Sequence, residues 1–234
     1  MKKLLLASVL AIAGCTQVMA ADLKTAPIAK APAFAPVYDP WTGPYLGVNI
    51  GYGWDFGASA GAFQAVPLGQ LATLPQGFVG GIQAGYGLTF ANRLLYLGLE
   101  GDLDGAALTG SATMPGIVTA DSKNSWLASI RPELGVVLGN ALIYGTAGWG
   151  WGGGQFTVNE LFAGGGAASI NPTMDGFTWG GGVKFSLAQN WIFGVKYLQY
   201  DFGSVTLPSP STPNLVYTTK DRVDVVRAEL NYKF

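Results

Sequence analysis

The chain has 234 residues, 49% of them hydrophobic, with only 12% charged and a formal net charge of −1. A balance so close to zero gives no electrostatic reason to bind nucleic acid. There is no histidine, which removes the commonest general base and metal ligand and the Ser–His and Asp–His hydrolase pairs. The single cysteine, Cys15, lies inside the leader, so a mature chain cut after it has neither a disulfide nor a thiolate metal site. No catalytic residue, metal site or cofactor is read from the composition.

Residues 1–20 read as an export signal: Lys2-Lys3 opens it, Leu4 to Gly14 is apolar, and Val18-Met19-Ala20 offers small residues for cleavage. Ile12-Ala13-Gly14-Cys15 resembles a lipobox, so lipidation of Cys15 is the alternative to cleavage before Ala21. Residues 21–40 are Pro/Ala-rich without apolar period and read as a periplasmic tether. Residues 41–234 then show eight alternating segments. After the leader no run reaches the roughly 18 apolar residues a membrane helix needs.

The first segment sets Leu46, Val48, Ile50, Tyr52 and Trp54 against Gly47, Asn49, Gly51 and Gly53. The second, about 78–90, sets Ile82, Ala84, Tyr86, Leu88 and Phe90 against Gly81, Gln83, Gly85 and Gly87. After a turn at Ala91-Asn92, the third opposes Leu95, Leu97, Leu99 and Leu103 to Tyr96, Glu100, Asp102 and Asp104. The fourth, about 125–138, opposes Trp126, Ala128, Ile130, Leu134 and Val136 to Ser129, Arg131 and Glu133. A turn at Gly139-Asn140 leads to the fifth, with Ile143, Ala147, Trp149 and Trp151 outward. The sixth carries Trp179, Val183 and Phe185 outward and Lys184 inward; the seventh carries Trp191, Phe193, Val195 and Tyr197 outward, Lys196 and Tyr200 inward. The eighth ends the chain, with Val226, Ala228, Leu230, Tyr232 and Phe234 on one face and Arg227, Glu229, Asn231 and Lys233 on the other.

Connections after segments two, four and six are a few residues long, whereas those after one, three, five and seven run to about 20. Short turns alternating with long loops, on strands apolar outside and polar inside, predict an all-β fold: an eight-stranded, antiparallel, up-and-down transmembrane β-barrel. Lipid offers backbone groups no partners, so the sheet must close. Pro132 removes one ladder donor and predicts a bulge or distorted pair in the fourth strand. Trp41, Tyr45, Trp54, Phe90, Trp126, Trp151, Trp179, Trp191 and Phe234 lie toward strand ends and are expected in interfacial girdles.

The stretches WTGPYLGVNIGYGW (41–54), GGIQAGYGL (80–88), LGLEGDLD (97–104), NWIFGVKYLQYDFG (190–203) and VRAELNYKF (226–234) resemble the small porin-like outer-membrane proteins of alphaproteobacteria. These are relatives of the Brucella and Rhizobium surface antigens and of the OmpA-like transmembrane barrel. The resemblance implies localisation in the cell outer membrane of a Gram-negative bacterium, with outer-membrane lipid and lipopolysaccharide around the barrel. It also implies a role in envelope integrity and surface contact, and some members look like weak porins or hemin binders. The terminal Leu230, Tyr232 and Phe234 resemble the signal read by the barrel-assembly machinery. Pro44 and Pro132-Glu133 depart from the family's pattern.

Inward charges are nearly balanced: Glu100, Asp102, Asp104, Glu133 and Glu229 against Arg131, Lys184, Lys196, Arg227 and Lys233. Arg131 is expected to reach Glu100 or Asp102, and Lys196 to reach Glu229. An interior of eight strands is just wide enough for side chains to fill, which makes a salt-bridged plug the leading expectation. A narrow ion path through space left by inward glycines is the alternative, making the chain a small porin. Segments 55–77 and 153–176 are expected as Gly-rich surface loops, and a third reading is an adhesin or ligand-binding barrel touching a host surface or another membrane protein through them. Hemin would have to use a tyrosine such as Tyr217 or a methionine such as Met114 or Met174. Asp201 with Lys220-Asp221 is the one rim cluster that could be catalytic, and a solvated strand end accounts for it better.

Overall fold

The structure, a computed structural model, describes residues 39–55, 58–63, 66–211 and 215–234. The signal sequence, Cys15 and tether residues 21–38 lie outside the described residues.

Among the described residues eleven strands form one antiparallel sheet: β1 (Gly43–Asp55), β2 (Ala58–Phe63), β3 (Val66–Ala72), β4 (Gln76–Phe90), β5 (Leu95–Met114), β6 (Val118–Leu138), β7 (Ala141–Glu160), β8 (Ala167–Ile170), β9 (Thr173–Ser186), β10 (Trp191–Pro208) and β11 (Leu215–Lys233). Eight of them, β1-β4-β5-β6-β7-β9-β10-β11, make the ring, and β11 returns to pair β1 from Tyr45↔Lys233 to Asp55↔Val223. That pairing closes the barrel, so in the bilayer every ring strand has a neighbour on both sides. The sequence phases set the faces. Outward Val48, Ile50, Ile82, Leu103, Leu134 and Phe234 are each more than half exposed, a lipid-facing surface, while Glu100, Arg131 and Arg227 are fully buried inside.

Short turns at Ala91–Leu94 and Gly139–Asn140 join strands at one end; Ala91, Asn92 and Arg93 all have positive φ there. The other end differs from the expected loops. β5, β6 and β7 run 20, 21 and 20 residues, whereas about ten suffice to cross the bilayer. Their upper halves continue as hairpins, β2–β3 adds onto β11, and β8 adds onto β7. Alternation persists there in weaker form, with Val118, Ala120, Phe156, Val158, Leu207 and Tyr217 turned inward around their own apolar cluster. Glycine and polar outward residues hid this signal.

One further expectation is corrected and another is met in part. Trp41 and Tyr45 belong to no girdle: both are buried inside the ring, Trp41 among Tyr96, Val137, Leu142, Tyr144 and Ile192. Pro132 causes no bulge, since Ile130↔Trp149 and Glu133↔Thr146 keep one register across it, but the β6–β7 ladder is interrupted at Arg131 and Pro132, the distorted pairing expected where a donor is missing. Its carbonyl instead accepts a hydrogen bond from the Thr146 hydroxyl at 2.7 Å. The register shift in β6–β7 lies higher, between Asn124 and Trp126.

Candidate functional site

The lumen is stacked in layers along the strands. At the turn end Trp41, Tyr96, Leu142, Tyr144 and Ile192 form an apolar floor. Charged residues fill the middle, and above them Val79, Leu108, Leu127, Leu198, Val223 and Val225 form an apolar ceiling with Tyr200 and Phe202.

The middle layer gathers nine of the ten predicted inward charges. Arg131 bridges Glu100 (3.0 Å) and Asp102 (2.5 Å). Lys196 bridges Glu100 (2.5 Å) and Glu229 (2.7 Å). Lys184 reaches Glu100 at 3.1 Å and Glu133 at 2.9 Å. Arg227 lies 2.5 Å from Asp104 and 3.4 Å from Asp102, and donates to the Tyr200 hydroxyl at 2.8 Å. Both neighbour-strand pairings expected from the sequence, Arg131 with its acids and Lys196 with Glu229, are present. The tenth charge, Lys233, stands at the lower mouth and donates to the Asp39 carbonyl.

Neutral residues complete the network. The Tyr45 hydroxyl donates to Glu100 at 2.8 Å and Tyr96 to Glu133 at 3.1 Å. Gln83 donates to Glu229 and Asn231, and Asn49 to Asp104, each within 2.8 Å. Charges withdrawn from water need partners of this kind to remain ionised. Asn49, Gln83 and Asn231 carry the inward phase of their strands, so their part is readable from alternation. Inward glycines make room for neighbouring side chains. At Gly85 a Cβ would fall 2.4 Å from the Tyr45 ring, so the missing side chain is room for a tyrosine.

Two clusters outside this layer were not foreseen. At the lower mouth Asp39 accepts from the hydroxyls of Thr42 (2.7 Å) and Thr89 (2.5 Å) and the Trp41 amide (3.0 Å). Burial pushes its carboxyl up, but these donors outweigh that and hold it below the usual range. At the outer tip, beyond the membrane-spanning rows, Glu160 accepts from Ser209, Ser211, Tyr217 and the Gly166 amide. Here too burial is outweighed by the donors, and the Glu160 carboxyl is lowered. Burial and the bond to Glu160 push the Tyr217 phenol up to about 12.

The remaining sequence candidates are not brought together. Asp201 pairs in register with exposed Arg222, while Asp221 is buried and accepts from Asn124 at 3.4 Å, with Lys220 exposed beside it. Tyr217 is committed to Glu160, Met174 belongs to the apolar ceiling and Met114 packs against the upper cluster. Among the described residues no group of three or more His, Cys, Asp or Glu is placed to hold a metal ion.

Known proteins share this architecture. The chain is 34% identical over 175 residues to the 31 kDa outer-membrane immunogenic protein of Brucella melitensis biotype 1, covering 71% of this chain and 70% of that protein, and equally to its Brucella suis biovar 1 counterpart. The solved structure of the outer membrane protein OprG from Pseudomonas aeruginosa matches with a TM-score of 0.52 at 10% identity, covering 83% of this chain and 98% of that one, a likeness of fold. The outer membrane protein beta-barrel domain family matches residues 8–234. With a closed ring of eight strands and a matching stretch that takes in nearly all of its length, the chain belongs to the outer membrane protein β-barrel family.

Proposed function

We propose that the protein is a closed structural barrel that contributes to envelope integrity and holds its outer hairpins at the cell surface, with neither transport nor catalysis in its lumen. The observation that carries this reading is the charged layer, whose ion pairs span the ring and are roofed and floored by apolar side chains. A conducting pore needs a continuous water path, and fully buried Arg131, Arg227, Lys196 and Glu100 stand across it. The small-porin reading is thereby disfavoured. Single-channel recording of the refolded barrel in a planar bilayer tests it: silence from folded, inserted protein is expected. Reproducible steps whose ion preference changes in Lys196→Glu would overturn it.

Contact with other surfaces through the outer hairpins is a second reading, favoured by their own apolar cluster and the Glu160 clasp, which give them fixed shape. The exposed Phe234, beside Tyr232 at 5.3 Å between ring centres, supports recognition by the barrel-assembly machinery.

A further inference from the structure

Above the lipid-facing rows, the outer wall of β4–β7 changes character. Thr109 and Ser111 on β5 stand beside Lys123 and Asp121 on β6, which stand beside Gln155 and Thr157 on β7. These side chains line a groove of about 610 Å³. A second hollow of about 310 Å³ adjoins it, sharing Lys123 and Gln155 and reaching down to Trp126.

The walls are built rather than incidental. Residues 73–75 run hard against β5 at Gly110, where a Cβ would fall 2.2 Å from the Thr73 carbonyl. Leu74 takes a left-handed φ of 42° as the segment turns out, a conformation a branched side chain rarely adopts. At the bottom, the Trp126 indole lies over Gly153, where a Cβ would be 2.3 Å from Nε1. A partly exposed indole seated over Gly153 offers a surface for stacking.

We propose that this groove binds the sugar headgroup of an outer-leaflet glycolipid. Hydroxyls and amides in a row, with an aromatic platform at one end, suit a polyol: the sugar's OH groups exchange hydrogen bonds with Thr, Ser and Gln while its C–H face lies on the indole. Among the described residues, Lys123 and Asp121 are the only charged ones in the lining and they cancel, which favours the neutral sugars over a phosphate cluster. Position selects the leaflet lipid over a free saccharide. Lipid-facing Phe78 is two residues below Gln76 in the groove, and Ile130 continues the Trp126 row downward. A molecule whose acyl chains lie against those residues therefore carries its sugars to the height of the groove. The proposal rests on the barrel standing with its hairpins outward, as read above.

The test uses the mature protein refolded into phosphatidylcholine nanodiscs. Calorimetric titration and saturation-transfer NMR are run with deacylated, dephosphorylated core oligosaccharide, and in parallel with intact lipopolysaccharide. Both are expected to bind, and Ser111→Ala with Gln155→Ala should weaken both about tenfold, the loss of one or two hydrogen bonds. Thr206→Ala on the opposite hairpin should change neither. Heat-modifiable gel migration establishes that each variant is folded, and Lys123→Ala serves as a second groove variant. Binding of intact lipopolysaccharide alone, equal in wild type and variants, would reduce the contact to acyl chains and overturn the proposal. Binding of neither ligand would do the same. Tighter binding of the free oligosaccharide than of the intact lipid would assign the groove to a soluble saccharide and refute the leaflet assignment. Channel recordings on the same preparations report separately on the closed-barrel reading.

Discussion

Glu100 on β5 and Lys196 on β10 stand four places apart in a ring of eight strands, diametrically opposite, yet their charged atoms are 2.5 Å apart. The pair is a strut across the full width of the lumen. Both side chains are essentially inaccessible, and Glu100 also accepts from Arg131, Lys184 and Tyr45. Opposite walls are thus joined by side chains as well as by the backbone ladder.

Removing Lys196 takes one of Glu100's three cations and the nearest cation of Glu229 out of a buried network, and breaking a buried ion pair costs about 3–5 kcal/mol. Lys196→Met should therefore destabilise the barrel strongly, since Glu100 and Glu229 both lose a cation. Glu100→Gln with Lys196→Met should recover much of the loss. Urea unfolding in lipid vesicles, followed by tryptophan emission, reads both; equal stability of the single and double variants would show that the strut is not coupled.

Trp41 tests the floor. Its indole is 4% exposed among five apolar neighbours, and truncating a buried aromatic costs about 3–5 kcal/mol. Trp41→Ala should lower the unfolding midpoint while leaving the barrel non-conducting, because the charged layer still stands above it. Conductance in Trp41→Ala alone would mean that the floor, and not the ion pairs, is the seal.

How much of this was legible depended on where each partner lay. Pairs on adjacent strands, such as Arg131 with Glu100, follow from alternation and strand order. The Glu100–Lys196 strut does not, because alternation says which residues point inward but nothing about which of them meet across the lumen. Trp41 escaped because it precedes β1, where chain direction rather than strand phase decides the side its ring takes. The hairpins of β5–β7 read as loops in the sequence because, once above the lipid, outward positions become Thr, Ser and Gln and the apolar contrast fades. The groove on that wall was invisible for the same reason.

Acid should loosen the outer tip. The Glu160 carboxyl is held below its ordinary value of 4.5 by four donors, so its contribution is present above that value and lost as pH falls through the lower folded-state value. Proteolysis between Pro208 and Ser211 should accelerate as pH drops below about 4.5. Glu160→Gln should cut faster at neutral pH and lose that dependence. Rates independent of pH in the wild type would show that the clasp does not hold the hairpin.

Phe234 should matter for delivery, on the assembly reading proposed above, more than for the folded state. Phe234 is 70% exposed and touches Tyr232 edge-on at 5.3 Å, a contact worth about 0.5–1.5 kcal/mol. Deleting it removes little buried area, and the hydrogen bond its N–H donates to the Pro44 carbonyl at 3.1 Å is one among the many of the β1–β11 seam. The truncated chain should refold in vesicles with nearly unchanged stability, while its level in the outer membrane of an expressing Gram-negative cell falls and unfolded chain accumulates in the periplasm. A deletion that leaves the membrane level unchanged would remove the assembly role from Phe234. A deletion that instead abolishes refolding in vesicles would assign the residue to the seam itself.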